Sequence, residues 1–271
     1  MKRTFFLLAI CMFCVTFIYA QGPFSAGMWC MGLGAAIHSD SDDNDFASPN
    51  QFSSFQSEST EFTDNKTKIS LGSRYFVTPN IATGLEVSYR KDKEEEIVKQ
   101  NYMDPFSMQA WTENTSMLTT TSRTMIASTT QWYSNNPGSV GLLAGLHAGY
   151  TFGTHEDENG FNSTNPSFPV SNDGVTEYKV SGFEISACPG LYVRLCDHLF
   201  LEVMAGGIQY HSINYDFDTA SNNGIVQDIP GYKDDDSDSG FWFDFNPRRY
   251  TFTLACYFGG TTTGGLMSAN K

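Results

Sequence analysis

Three histidines stand next to carboxylates in this chain: His38 by Asp40, His155 by Glu156 and Asp157, and His211 a few residues before Asp216. Imidazole changes charge near neutral pH and coordinates divalent metals, so these pairs have the composition of a metal site or an acid–base hydrolase. The same residues are ordinary where a strand enters water. Neither a Gly-x-Ser-x-Gly elbow nor a His-Glu-x-x-His helix accompanies them. We therefore expect no enzyme and no catalytic residue, a hydrolase at the rim being the alternative. The run Asp40-Ser41-Asp42-Asp43-Asn44-Asp45 and the alternating Asp234, Asp236 and Asp238 offer hard oxygen ligands. In the second run Gly240 comes one place late for a calcium loop and the closing Glu is missing, so weak Ca²⁺ or Mg²⁺ binding is the most it supports. No cofactor is expected.

The elements that must position these groups show a period of two. Along 69–77, Ile69, Leu71, Tyr75 and Val77 share one face, while Ser70, Gly72 and Arg74 share the other, which is a strand pattern. Thr78-Pro79-Asn80 supplies a turn, since Pro presets φ and Asn tolerates turn geometry. The returning strand sends Ile81, Leu85, Val87 and Tyr89 one way and Ala82, Gly84, Glu86, Ser88 and Arg90 the other. The pattern recurs over 123–134, 140–152, 178–195 and from Leu199 onward, with a tight turn at Cys196-Asp197-His198. A first strand over 24–38 and a last over 248–259 make eight.

About 26 of the 30 Asp and Glu fall in four segments near 39–65, 91–122, 154–177 and 214–247. The connections between the other strand ends are very short. Long polar excursions alternating with tight turns, and one uncharged face per strand, predict an eight-stranded antiparallel up-and-down transmembrane β-barrel with long extracellular loops and short periplasmic turns. Tyr75, Tyr89, Trp132, Tyr133, Tyr150, Tyr192, Tyr257 and Phe258 near strand ends suit aromatic girdles.

The ends agree with export. Lys2 and Arg3, the apolar run from Phe5 to Tyr19 and a small residue at Ala20 read as a signal peptide over 1–20. The barrel would occupy 21–260 and a Gly- and Thr-rich tail 261–271, with both termini periplasmic. The formal charge of −14 argues against nucleic acid. Four cysteines follow the leader, Cys30, Cys188, Cys196 and Cys256. Irregular spacing without Cys-x-x-Cys makes them unpaired thiols in this reading, disulfides in an oxidising compartment being the alternative.

An eight-stranded barrel is just wide enough for its interior to be filled by side chains. Lys68, Arg74, Glu86, Arg90, Glu184, Arg194 and Glu202 fall on the inward face and nearly balance in charge. Unpaired buried charges cost several kcal/mol each, so a salt-bridged network, structural or gating, is expected. The hairpin registers place Arg74 diagonal to Glu86 and Arg194 diagonal to Glu202, within reach of each other.

The segments from Gly72 through Thr78-Pro79-Asn80 to Glu86, and from Pro189 through Cys196-Asp197-His198 to Glu202, resemble hairpins of the outer-membrane β-barrel domain family, whose eight-stranded members include the OmpA transmembrane domain and OmpX. The resemblance covers most of 24–259. It implies an integral outer-membrane protein in contact with outer-membrane lipid, lipopolysaccharide and the assembly machinery, monomeric, with a structural or surface-interaction role. It carries over no catalytic residue. Tyr257-Phe258 is followed by a tail instead of ending the chain, and there is no room for a peptidoglycan-binding domain. A narrow channel and a soluble lipocalin-like carrier are the alternative functions.

Overall fold

The computed structural model describes residues 24–47, 55–103, 109–134, 139–165, 170–222, 225–227, 236–243 and 250–259. The leader, the tail after 260 and Asp234 lie outside the described residues. Eleven antiparallel strands form one sheet: β1 Trp29–Ala47, β2 Phe55–Thr78, β3 Ile81–Met103, β4 Ala110–Tyr133, β5 Val140–Ser163, β6 Val170–Cys196, β7 Leu199–Met204, β8 Ile208–Asn222, β9 Ile225–Gln227, β10 Asp236–Phe243 and β11 Thr251–Phe258. In the half nearest the tight turns, β1 through β7 pair in sequence, except that β11 closes the ring by pairing both β7 and β1. That ring has eight members. In the other half β8 continues β7 along β6, and β10 runs beside β8.

The break between β7 and β8 has a local cause. Pro189 of β6 has no N–H to donate, and opposite it the chain leaves the ladder over Ala205–Gly207, with the Ala205 N–H donating 2.9 Å to the Pro189 carbonyl. The backbones approach closely enough here that a Cβ on Gly207 would lie 2.0 Å from the Ala187 carbonyl oxygen. Only glycine fits.

Registers fix the barrel's tilt. From Gly34 the ladder runs through Ser70, Ser88 and Met125 to Thr151 of β5. In the other direction it runs through Thr253, Glu202 and Tyr192 to Gly141 of the same strand, ten residues away. This stagger inclines the strands steeply to the axis.

Side chains alternate as the period of two requires. Trp29, Met31, Leu33, Leu71, Leu85, Val87, Leu146 and Leu191 are exposed on the outer wall, while Cys30, Ser70, Arg74, Ser88 and His147 are buried inside. The hairpin turns fall at Pro79-Asn80 and Asp197-His198. At the first, the Thr78 hydroxyl accepts the N–H groups of Asn80 and Ile81.

Two expectations are revised. The acidic segments are strands over most of their length: β1 and β2 stay paired out to Ala47 and Ser57, and β3 and β4 to Met103 and Ala110. The strands therefore carry many acids besides Glu86, Glu184 and Glu202. Also, Tyr133, Tyr192 and Tyr257 do not belong to a girdle: they face inward and are 0–1% exposed. Tyr75, Tyr89, Tyr150 and Phe258 do face outward.

Candidate functional site

The interior is built in three tiers. At the end near the tight turns, six aromatic rings fill the bore. Phe24, just ahead of β1, turns back into the barrel and packs on Phe76, Tyr133, Phe200 and Tyr257 with ring centroids 4.7–5.0 Å apart, and on Tyr192 at 5.5 Å. The reversal uses Gly27 at φ +87, a backbone that L side chains rarely adopt. Gly27 also donates to the Phe76 carbonyl at 2.9 Å. Sequence reading put Phe24 in the first strand and missed this plug; the Gly two residues before Trp29 was its one local sign.

Against the plug lies a polar knot centred on Glu202, 0% exposed. Its Oε2 accepts from Arg74 Nη2 at 2.9 Å, and its Oε1 accepts from the Tyr133 hydroxyl at 2.8 Å and from the Tyr257 hydroxyl. Arg74 Nη1 donates to the Tyr133 oxygen at 3.0 Å, and Gln131 Oε1 lies 2.6 Å from that hydroxyl. Tyr133 has one proton for two acceptors, so the knot holds more acceptors than it can serve at once, and Arg74 supplies the charge that makes it stable. Strands β2, β4, β7 and β11 all contribute. A fully buried carboxylate survives only with such partners.

Beyond the knot lies a cavity of about 190 Å³, lined by Lys68, Glu86, Arg90, Arg123, His147 and Glu184 among others. Lys68 Nζ is 3.5 Å from Glu86 Oε1, and His147 Nδ1 is 3.9 Å from Glu86 Oε2, just outside hydrogen-bond reach. Asp92 joins two cations, receiving Arg90 Nε at 2.8 Å and Arg123 Nη2 at 3.1 Å. One level further out, Lys66 holds Asp64 at 2.7 Å and Glu94 at 3.2 Å. A chamber of this size and polarity holds water.

The expected residues are thus distributed unevenly. Lys68, Arg74, Glu86, Arg90, Glu184 and Glu202 do face the bore, but the pairs differ from those expected. Arg74 sits diagonal to Glu86 in register yet reaches across to Glu202, leaving Glu86 to Lys68. Arg194 does not meet Glu202 at all. It pairs with Phe200 at the turn end of the bore, one rung beyond Tyr192, where it binds Asp197 at 2.6 Å. Asp64, Lys66 and Asp92 were missed because they lie in the strand extensions, and Arg123 was missed although it opens the 123–134 strand. Their parity with Lys68, Arg90 and the inward face of β4 was the available signal.

Of the three candidate histidines, His38 is buried and lines the chamber, while His155 and His211 find hydrogen-bond partners within the wall. His155 meets Thr121 Oγ1 at 2.8 Å through Nδ1 and Asp157 at 3.3 Å through Nε2, and its ring packs on Tyr215 at 5.2 Å. His211 Nε2 lies 2.9 Å from Asp238, which ties β8 to β10 and uses one of the three candidate calcium ligands. Asp236 pairs in backbone register with Tyr215, not beside His211. Among the described residues no three His, Cys, Asp or Glu side chains converge as a metal site requires. The cysteines Cys30, Cys188, Cys196 and Cys256 are free thiols. On the outer wall, Glu156 is pushed up from the ordinary carboxylate range, first by its hydrogen bond with Glu158 and then by burial, with Lys91 opposing the rise.

Fold and interior together define a closed antiparallel barrel that is polar within and apolar around its waist. No protein-family model matches the chain, and no curated protein matches it. Among solved structures it is similar to the outer membrane protein OprG from Pseudomonas aeruginosa, at 15% identity and TM-score 0.31, covering 89% of this chain and 100% of that one. It is also similar to the ferric yersiniabactin uptake receptor FyuA from Yersinia pestis, at 9% identity and TM-score 0.21, over 88% of this chain and 45% of the receptor. A third is the translocator domain of autotransporter NalP from Neisseria meningitidis, at 9% identity and TM-score 0.19, over 86% and 88%.

Arg74→Met should lower unfolding stability by about 3–5 kcal/mol, because it leaves the Glu202 carboxyl buried without its cationic partner. Adding Glu202→Gln should recover more than half of that loss. Urea unfolding followed by tryptophan fluorescence measures both. In the same assay Phe24→Ala should cost about 3–5 kcal/mol, as expected for emptying a packed aromatic site.

Proposed function

We propose that the chain is an integral outer-membrane β-barrel with a structural or surface-presenting role, its tight turns in the periplasm and its acidic strand extensions outside the cell. The observation that carries this reading is the inverted polarity of the wall. Leu33, Leu71, Leu85, Ile126, Leu146, Leu191 and Leu254 are 46–64% exposed at neighbouring levels of the barrel. Glu202 and Arg74, by contrast, are sealed inside. Water penalises such a belt and lipid rewards it. The uncharged stretch covers roughly 9–13 residues on β2, β3, β5 and β6, close to the 9–11 a tilted strand needs to cross a bilayer. A closed ring also leaves no backbone group unpaired where there is no water. A lipocalin-like carrier would have an apolar bore and a polar wall, the reverse of what these residues form.

The lumen supports a filled barrel better than a pore. The chamber is open away from the tight turns, but the knot and the six rings occlude the bore below it. Planar-bilayer recordings are expected to show no steady conductance for the wild-type chain. Sustained ion currents from the unmodified protein would require a different lumen and restore the channel reading.

Membrane fractionation with heat-modifiable gel mobility tests the location, and recovery in the soluble periplasmic fraction would refute it. Leu85→Arg places a charge at mid-belt and should cost about 2–4 kcal/mol in vesicle-embedded protein. The measurement is a urea titration of protein folded in vesicles.

A further inference from the structure

Where the chamber meets the knot, three side chains with soft or borderline donor atoms gather around one glycine. Gly145 of β5 stands directly opposite Cys188 of β6 and two residues before His147, on the same inward face. A Cβ on Gly145 would collide with Met204 Cε and would lie 3.1 Å from His147 Nε2 and 3.6 Å from Met204 Sδ. Glycine is therefore what lets a thioether from β7 and an imidazole from β5 share this space. Cys188 borders it as well, since directly opposed residues of an antiparallel pair have Cβ positions about 4.5–5.5 Å apart. All three side chains line the chamber.

The imidazole is left unserved by the protein. His147 is 8% exposed, and its Nδ1 has no hydrogen-bond partner. A buried polar group without a partner costs free energy that a ligand can recover. Glu86 Oε2 stands 3.9 Å from that nitrogen. A carboxylate on this side orients a histidine whose opposite nitrogen holds a metal. Gln131 Nε2, 3.8 Å from Met204 Sδ, steadies the thioether from behind. Because the third donor is a thioether, no cluster of His, Cys and carboxylate side chains marks the place.

We propose that His147, Cys188 and Met204 form a binding site for the soft monovalent ion Cu(I), with Glu86 as a positioning residue behind His147. Donor type selects the ion, since thiolate and thioether ligands favour Cu(I) over hard or borderline cations. Charge selects it too. Cu(I) takes the place of the Cys188 thiol proton, which passes to water in the chamber, so one positive charge enters as one leaves. Zn(II) would leave an additional charge in a largely buried place, at a cost. The site depends only on the lumen, so it stands or falls separately from the membrane reading.

The test uses the full chain refolded in detergent micelles with Cys196→Ser and Cys256→Ser, which removes the two exposed thiols. Under anaerobic conditions Cu(I) is titrated against the coloured chelator bicinchoninate. This reference protein should withhold a single Cu(I) per chain, and copper-edge X-ray absorption should show both sulfur and nitrogen neighbours. Adding Cys188→Ser should abolish retention, and the conservative Met204→Leu should weaken it. Glu86→Gln should weaken it by about 10- to 100-fold, as for other groups that orient a metal-bound histidine. Far-UV circular dichroism checks that each variant is folded. Failure of the reference protein to withhold Cu(I), or equal retention by folded Cys188→Ser or Met204→Leu, would overturn the site. Displacement of bound Cu(I) by an equal concentration of Zn(II) would overturn its assignment to a soft monovalent ion.

Discussion

Burying the Glu202 carboxylate is the constraint around which the rest of this barrel is arranged. A carboxylate with no exposed surface needs a counterion and enough donors for its lone pairs, and one strand cannot supply them. Arg74, Tyr133 and Tyr257 come from three other strands, so the knot forms only when the ring is closed. The side chains that satisfy the charge also fix how β2, β4, β7 and β11 are staggered. The phenol rings that donate to Glu202 are in turn walls of the cage around Phe24. Polar and aromatic tiers are therefore one packing unit, with hydroxyls on one side and rings on the other.

Above that unit the interior is held more loosely. Lys68, Glu86, Arg90 and Arg123 line a chamber and are partly exposed, with Asp92 buried beside them, so water shares in stabilising the group. Each such ion pair contributes less than a buried one and costs less to break. The barrel thus grades from a dry, tightly specified end to a wet one.

The fold was legible in the sequence wherever the two faces of a strand meet different surroundings. Between Ile69 and Tyr89 one face forms the apolar outer wall and the other lines a polar bore, and residue types alternate accordingly. Past Thr67 and Lys91 both faces are wet. Alternation fades there, and the strands read as acidic loops although the hydrogen-bonded ladder continues. Inward placement of Arg74, Glu86 and Glu202 followed from parity alone. Their partners did not, because pairing across the bore depends on the stagger of the ring, and Arg194, opposite Phe200 at the turn end, finds Asp197 of its own turn. Phe24 was illegible for a related reason: a residue that doubles back belongs to no strand pattern, and Gly27 marks only that a reversal is allowed.

The continued pairing of the strands has a mechanical consequence. A strand such as β4, at 24 residues, is roughly 80 Å along its path, more than twice what a bilayer crossing uses. The surplus is hydrogen-bonded sheet and therefore resists bending far better than a loop of the same composition. In the proposed orientation the paired ends of β1 with β2 and of β3 with β4 form a stiff collar standing well clear of the lipid. Whatever that collar presents is held at a distance from the membrane set by ladder length rather than by loop flexibility.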